Sequence, residues 1–152
     1  WTVDPLRAAN ARLNFGKLGA WSAHYEENRY GQAYGEALYG GLPSDRILMR
    51  WAITHPQIQA QIISPPPLTT STEAAEIPDF APGMVATQVL IRIPNDIDAV
   101  LKADPAVALE WRLAVRRTLP VALQSGYRAT GFVGNIDSQR DVSALILTRE
   151  LA

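Results

Sequence analysis

Residues 1–19 read WTVDPLRAANARLNFGKLG, and how this stretch is read decides the fold. Trp1-Thr2-Val3 has the aromatic and β-branched character of a strand. Asp4-Pro5 then sets an N-cap acceptor beside a residue without the amide hydrogen that a first helical turn leaves unpaired. Leu6, Ala9 and Leu13 recur at helical spacing, and Ala11, Phe15 and Leu18 widen the apolar stripe. Lys17 complements a helix C-terminus and Gly19 supplies a left-handed stop. The pattern predicts a strand followed by a helix over residues 5–18 whose apolar face needs a sheet to cover it.

Outward from this stretch the periodicity switches to strands. Trp21, Ala23 and Tyr25 alternate with Ser22, His24 and Glu26, predicting a half-buried strand within 21–30 that runs out in glycines. Ile47, Met49, Trp51 and Ile53 alternate with Leu48, Arg50 and Ala52, predicting a strand over 47–53, and Thr54 is placed to cap a short helix through Ile58 and Ile62. Pro65, Pro66, Pro67, Pro78 and Pro82 bracket a Thr/Ser run, a composition that blocks both helix and sheet ladders, so 64–85 reads as a linker. Beyond it come a strand over 86–93, a short helix capped by Asn95, and a longer helix from Asp104-Pro105 to about Gln124 that Pro120 is expected to kink. Strands near 127–133 and 142–149 close the chain. The expected fold is α+β, an antiparallel sheet flanked by helices. Residues 1–63 form one half and 86–152 a second half that completes or extends the sheet. Each half reads strand, helix, strand, strand, with an additional helix in the second and without a residue-level repeat.

Composition limits the function classes. The 152 residues carry 14 Lys plus Arg against 15 Asp plus Glu, with 47% hydrophobic residues, enough for a core but without the basic patch that duplex binding needs. Nucleic acid is not an expected partner. There is no cysteine and only two histidines, which argues against a zinc site and excludes a thiol nucleophile. No apolar run reaches the roughly 20 residues of a membrane span, so no membrane partner and a cytoplasmic setting are expected. The chain opens on Trp1 at what reads as the end of a strand, and therefore reads as beginning partway through a fold.

The string Asn10-Ala11-Arg12-Leu13-Asn14-Phe15-Gly16-Lys17-Leu18-Gly19 resembles the helix of GNAT-superfamily acyltransferases that reads Asn-x-x-Ala-x-x-Leu-Tyr-x-Lys-Leu-Gly-Phe. The YG-rich segment, GLPSDR at 41–46 and IPNDIDAVLKADPAVALEWRLAVRRTL at 93–119 extend the resemblance over nearly the whole chain, to a group of predicted acetyltransferases of that superfamily. The resemblance implies a GNAT-like sheet, acetyl-CoA as cofactor, and acyl transfer to an amine-type small-molecule acceptor by direct attack on the thioester, without metal. The family binds the cofactor pyrophosphate on a Gln/Arg-x-x-Gly-x-Gly/Ala loop before this helix, so that element would precede Trp1. Gln32-Ala33-Tyr34-Gly35-Glu36-Ala37 fits the pattern only by letter, because it follows the helix.

Carried over residue by residue, the resemblance makes Asn10 and Phe15 the cofactor-flanking positions. Phe15 stands where the family has a Tyr that protonates the departing thiolate, so that proton would come from elsewhere. Tyr25, Tyr30, Tyr34 and Tyr39 lie among glycines, where Tyr30 and Tyr34 are candidates for the acceptor pocket. Asp45 and Arg46 either stop a turn or face the acceptor, where Arg46 would hold a carboxylate. His24 with Glu26 is the candidate base for an acceptor amine. Arg112, Arg116 and Arg117 read as a charged outer face of the long helix. The alternative is a noncatalytic GNAT-fold binding or dimerisation module, with a homodimer through the second half; a small-molecule sensor built on the Tyr/Gly segment is a third reading.

Overall fold

The strand patterns of both halves converge on one sheet. The computed structural model describes residues 1–38 and 40–149; Tyr39, one of the four clustered tyrosines, lies outside them. Six strands, β1 (Thr2–Val3), β2 (Trp21–Glu26), β3 (Arg46–Arg50), β4 (Gln88–Pro94), β5 (Arg128–Asp137) and β6 (Val142–Thr148), pair antiparallel in the order β1-β3-β2-β5-β6-β4. The helices are α1 (Ala8–Ala11), α2 (Gly31–Leu38), α3 (Pro56–Ile63), α4 (Ser71–Ala74), α5 (Ile97–Ala103) and α6 (Pro105–Gln124). The protein is α+β.

The strand order makes the relation between the halves explicit. In each, the third strand inserts between the first and second, giving β1-β3-β2 and, reversed, β5-β6-β4. The halves meet at their second strands, where the register between β2 and β5 is the single pair Ser22–Ala129. Ser22 and Ala129 are fully buried, and Tyr25, Ile47, Met49, Leu145, Leu147 and the inner face of α6 share one apolar core that runs across the junction.

Asp4 does more than cap a helix. Its Oδ1 accepts the Leu6 amide at 2.9 Å and its backbone oxygen accepts the Arg7 amide at 3.1 Å, which closes a turn and delays regular helix to Ala8. Both carboxylate oxygens also receive the Arg112 guanidinium, at 2.9 and 2.6 Å. From Arg12 to Lys17 the helix widens into π-helical turns, ended by the Leu18 amide on the Leu13 oxygen and by Gly19 at φ +64°.

Three other local expectations change. The 31–38 segment is α2 rather than a glycine-loosened loop. His55, not Thr54, caps α3 by accepting the Gln57 amide on Nδ1, and Asp96, not Asn95, caps α5 by accepting the Asp98 and Ala99 amides. The prolines of 64–85 do break the chain, but the segment is more than a linker. Thr70 and Glu73 form a reciprocal capping box that starts α4, and buried Ala74 packs with Leu90, Val133, Ala144 and Ile146 on the second face of the sheet. Residue 79 then pairs with Leu90 at the edge of β4.

Helix α6 runs 105–124 as the sequence predicts, with Asp104 accepting the Ala106 and Val107 amides and Pro120 inside it. Its arginines do not form a common outer face. Arg112 is 1% exposed, in line with buried Ala108, Val115, Leu119 and Ala122, because the core-facing stripe continues through it. Arg116 is partly buried on Asp45, and only Arg117 is exposed.

Candidate functional site

Two turns knit together after β2 and before β3 position most of the polar residues singled out above. Asn28, at φ +43°, accepts the Ser44 amide on Oδ1, while the Arg29 amide donates to the Ser44 oxygen and the Tyr30 amide to Ser44 Oγ at 2.9 Å. The Asn28 amide donates to Asp45 Oδ1 at 2.9 Å. Ser44 and Asp45 thus serve as turn stops across the two loops.

This frame places Tyr30 beside β1. Its hydroxyl hydrogen-bonds Thr2 Oγ1 at 3.0 Å, its ring lies 5.1 Å from Tyr34, and the guanidinium carbons of Arg46 and Arg29 lie 5.2 and 5.8 Å from the ring centre. The Thr2 hydrogen bond, helped by the two arginine charges and only partly opposed by burial, holds the Tyr30 phenol below its usual range. Tyr30 is 42% exposed, so this acidified phenol is open to solvent and solutes.

Arg29 connects Tyr30 to the other predicted pair. It hydrogen-bonds Glu26 closely, which keeps the Glu26 carboxyl below the usual carboxylate range. Glu26 Oε1 is 3.5 Å from His24 Nε2, so a carboxylate orients the imidazole. A bulge helps to set this up: Ser22 pairs with Met49 and Tyr25 with Ile47, leaving Ala23 and His24 opposite Leu48 alone, with Ser22 Oγ donating to the Leu48 oxygen at 2.8 Å. His24, Glu26, Arg29, Tyr30 and Tyr34 therefore belong to one linked patch.

Asp45 and Arg46 lie behind that patch rather than open to a solute. Asp45 is 0% exposed, and its two oxygens receive four donors: the Asn28 amide, the Tyr25 hydroxyl at 2.5 Å, and Arg116 Nε and Nη2 at 2.8 and 2.6 Å. Arg46 is 4% exposed, with Nη1 donating to the Asp45 backbone oxygen at 2.7 Å and lying 3.4 Å from Asp4 Oδ2. Neither residue faces an open acceptor pocket; their charges are committed inside the fold. Burial pushes the Tyr25 phenol well above its ordinary value, reinforced by the Asp45 hydrogen bond, so Tyr25 stays neutral as a donor.

Asn10 and Phe15 are apart from this patch. Asn10 is half-buried on α1, its backbone oxygen accepting Asn14 Nδ2 at 2.8 Å. Phe15 packs into the main core at 3% exposure and closes the floor of a separate cleft. Sequence reasoning missed Thr2, Arg29 and Tyr25 as partners, and misread Arg112 and Arg116. One signal was available: Arg112 lies at helical spacing between Ala108 and Val115, on the apolar stripe. No helix among the described residues is long and apolar enough to cross a membrane, and they contain no His, Cys, Asp and Glu cluster able to hold a metal. Comparison with protein-family models, curated proteins and solved structures finds no match to the chain.

Proposed function

We propose that the protein is a GNAT-like acyltransferase that moves an acetyl group from acetyl-CoA to an amine-type acceptor at the Tyr30 patch. The observation that carries the reading is the Tyr30 phenol, open to solvent, acidified, and hydrogen-bonded to the strand that precedes the helix resembling the family's. The reaction needs two proton transfers, one to the protein and one from it. The His24 imidazole, oriented by Glu26, takes the proton of the incoming amine. The Tyr30 phenol gives a proton to the departing thiolate, the role for which Phe15 has no group. Acetyl-CoA supplies the activated thioester. One feature supports such a donor: β1 is the end strand of the sheet, and an amide-bearing chain pairs with the edge of an end strand.

The test is acetyl-CoA consumption, followed as free thiol, across a panel of amines, with calorimetry of acetyl-CoA binding alongside. Thiol release with at least one amine, lost in His24→Ala while acetyl-CoA binding persists, is the expected result. Phe15 favours a second reading, a noncatalytic GNAT-fold binding or dimerisation module, and absence of both acetyl-CoA binding and thiol release would select it. Acetyl-CoA binding with no release across the panel would overturn the catalytic reading.

A further inference from the structure

A cleft of about 500 Å³ opens where the two halves meet, between the end of the π-helical segment, the start of β2, α3, and the adjoining ends of β5 and β6. It is separate from the Tyr30 patch, and three features of its wall point to one kind of ligand.

The first is uncompensated positive charge. Most described arginines have a carboxylate partner, including Arg7, Arg46, Arg112 and Arg116. Arg128 and Arg149, both in the cleft wall, have none among the described residues, nor does Arg50, which lies beside the cleft against Trp21. Arg149 is fixed by neutral groups: Nη2 donates to the Met84 oxygen at 2.9 Å, Nη1 lies 3.5 Å from the Ser125 oxygen, its guanidinium carbon lies 4.8 Å from the Tyr127 ring centre, and Nε is buried without a partner. A fixed guanidinium charge in a concave wall without a carboxylate among the described residues favours a phosphate, and the exposed Arg128 beside it supplies a donor fork.

The second feature is a pair of hydroxyls. Thr130 and Thr148 face each other across β5 and β6 in the same wall, 2.9 Å apart, and one of the two hydrogens is free to turn toward an anion. The third is Trp21. Its ring lies 4.8 Å from the Arg128 guanidinium carbon and 5.4 Å from that of Arg50, a flat cationic and aromatic wall on which a planar ring stacks. Gly19 and Gly126 leave the rim without side chains. The volume is that of a site for a molecule of nucleotide size.

We propose that this cleft binds a nucleoside phosphate, with the phosphate on Arg128, Arg149 and the Thr130–Thr148 pair and the base against Trp21. The proposal does not rest on acyl transfer, because its readout uses ligands that carry no thioester. The experiment is calorimetric titration of the protein with AMP, adenosine and inorganic phosphate, with the Trp21 indole N–H followed by NMR. AMP is expected to bind at least about tenfold more tightly than adenosine or phosphate, to shift the Trp21 signal, and to weaken as salt is raised from about 50 to 200 mM. Arg128→Gln, a change at an exposed side chain, is expected to weaken AMP at least about tenfold with the circular dichroism spectrum unchanged. Equal binding of adenosine and AMP, equal binding of phosphate and AMP, an unaltered affinity in Arg128→Gln, or no AMP binding at millimolar concentration would each overturn the proposal.

Discussion

At the scale of single residues, what separates Tyr30 from Tyr25 is the charge of the partner. Tyr25 donates to a buried carboxylate and is pushed up; Tyr30 meets a hydroxyl and two guanidinium groups and is pulled down. NMR titration of ring-labelled tyrosines should show one resonance moving below the ordinary range near pH 10 and missing from Tyr30→Phe, while the Tyr25 resonance stays neutral past it. Asp45 gives a second test. Burial pushes its carboxyl up, but hydrogen bonds from Arg116, Tyr25 and the Asn28 amide outweigh this and hold it below the usual carboxylate range. A carboxyl with a folded value below its unfolded one stabilises the fold above the unfolded value, and that contribution is lost as pH falls through the folded one. Asp45→Asn should therefore melt well below the unsubstituted protein at pH 7, with the gap narrowing as pH drops below about 4. None of this was readable from the sequence, where Asp45 and Arg46 fitted a turn and an acceptor site equally well. The choice between them depends on Arg116, which is 71 residues away from Asp45.

At the scale of elements, regular periodicity was legible and backbone detail was not. Strand β3 and helix α6 follow from their apolar spacing and from Asp104-Pro105, since alternation and capping are local. The first helix starts late because Asp4 closes a turn on the Leu6 and Arg7 amides, and the same carboxylate holds Arg112 across the molecule, which a local cap signal cannot report. The end of its π-helical part depends on Gly19. A Cβ there would meet Gln61 Oε1 at 2.7 Å and Ile58 Cδ1 at 2.9 Å, on a backbone at φ +64°. Gly19→Ala should lower stability by at least about 1–2 kcal/mol in chemical denaturation, from the left-handed backbone alone. Gly16→Ala is the control. Its Cβ would meet Leu68 Cδ2, the mobile end of one side chain, at a backbone angle open to alanine, so the loss should be smaller.

At the scale of the whole molecule, two halves of like plan are joined by one strand pair and by α6, whose Arg112 and Arg116 reach Asp4 and Asp45 in the first half. The sequence showed the two plans but not the joint, because a solvated face and a clamp use the same arginines; only the position of Arg112 on the apolar stripe distinguishes them. Arg112→Met should cost about 3–5 kcal/mol in urea unfolding, since it leaves Asp4 buried with less than its full complement of donors. Arg117→Met, on the exposed side, should change stability by no more than about 0.5 kcal/mol. The same joint fixes β1 and the β2–β3 turns against each other, and so holds Thr2 and Tyr30 in register. The most direct measurement is the rate of thiol release from saturating acetyl-CoA with a reactive amine, comparing the unsubstituted protein with Tyr30→Phe. A fall in kcat of about 10²-fold or more, with acetyl-CoA affinity unchanged, is the predicted result. An equal kcat in Tyr30→Phe would contradict the account.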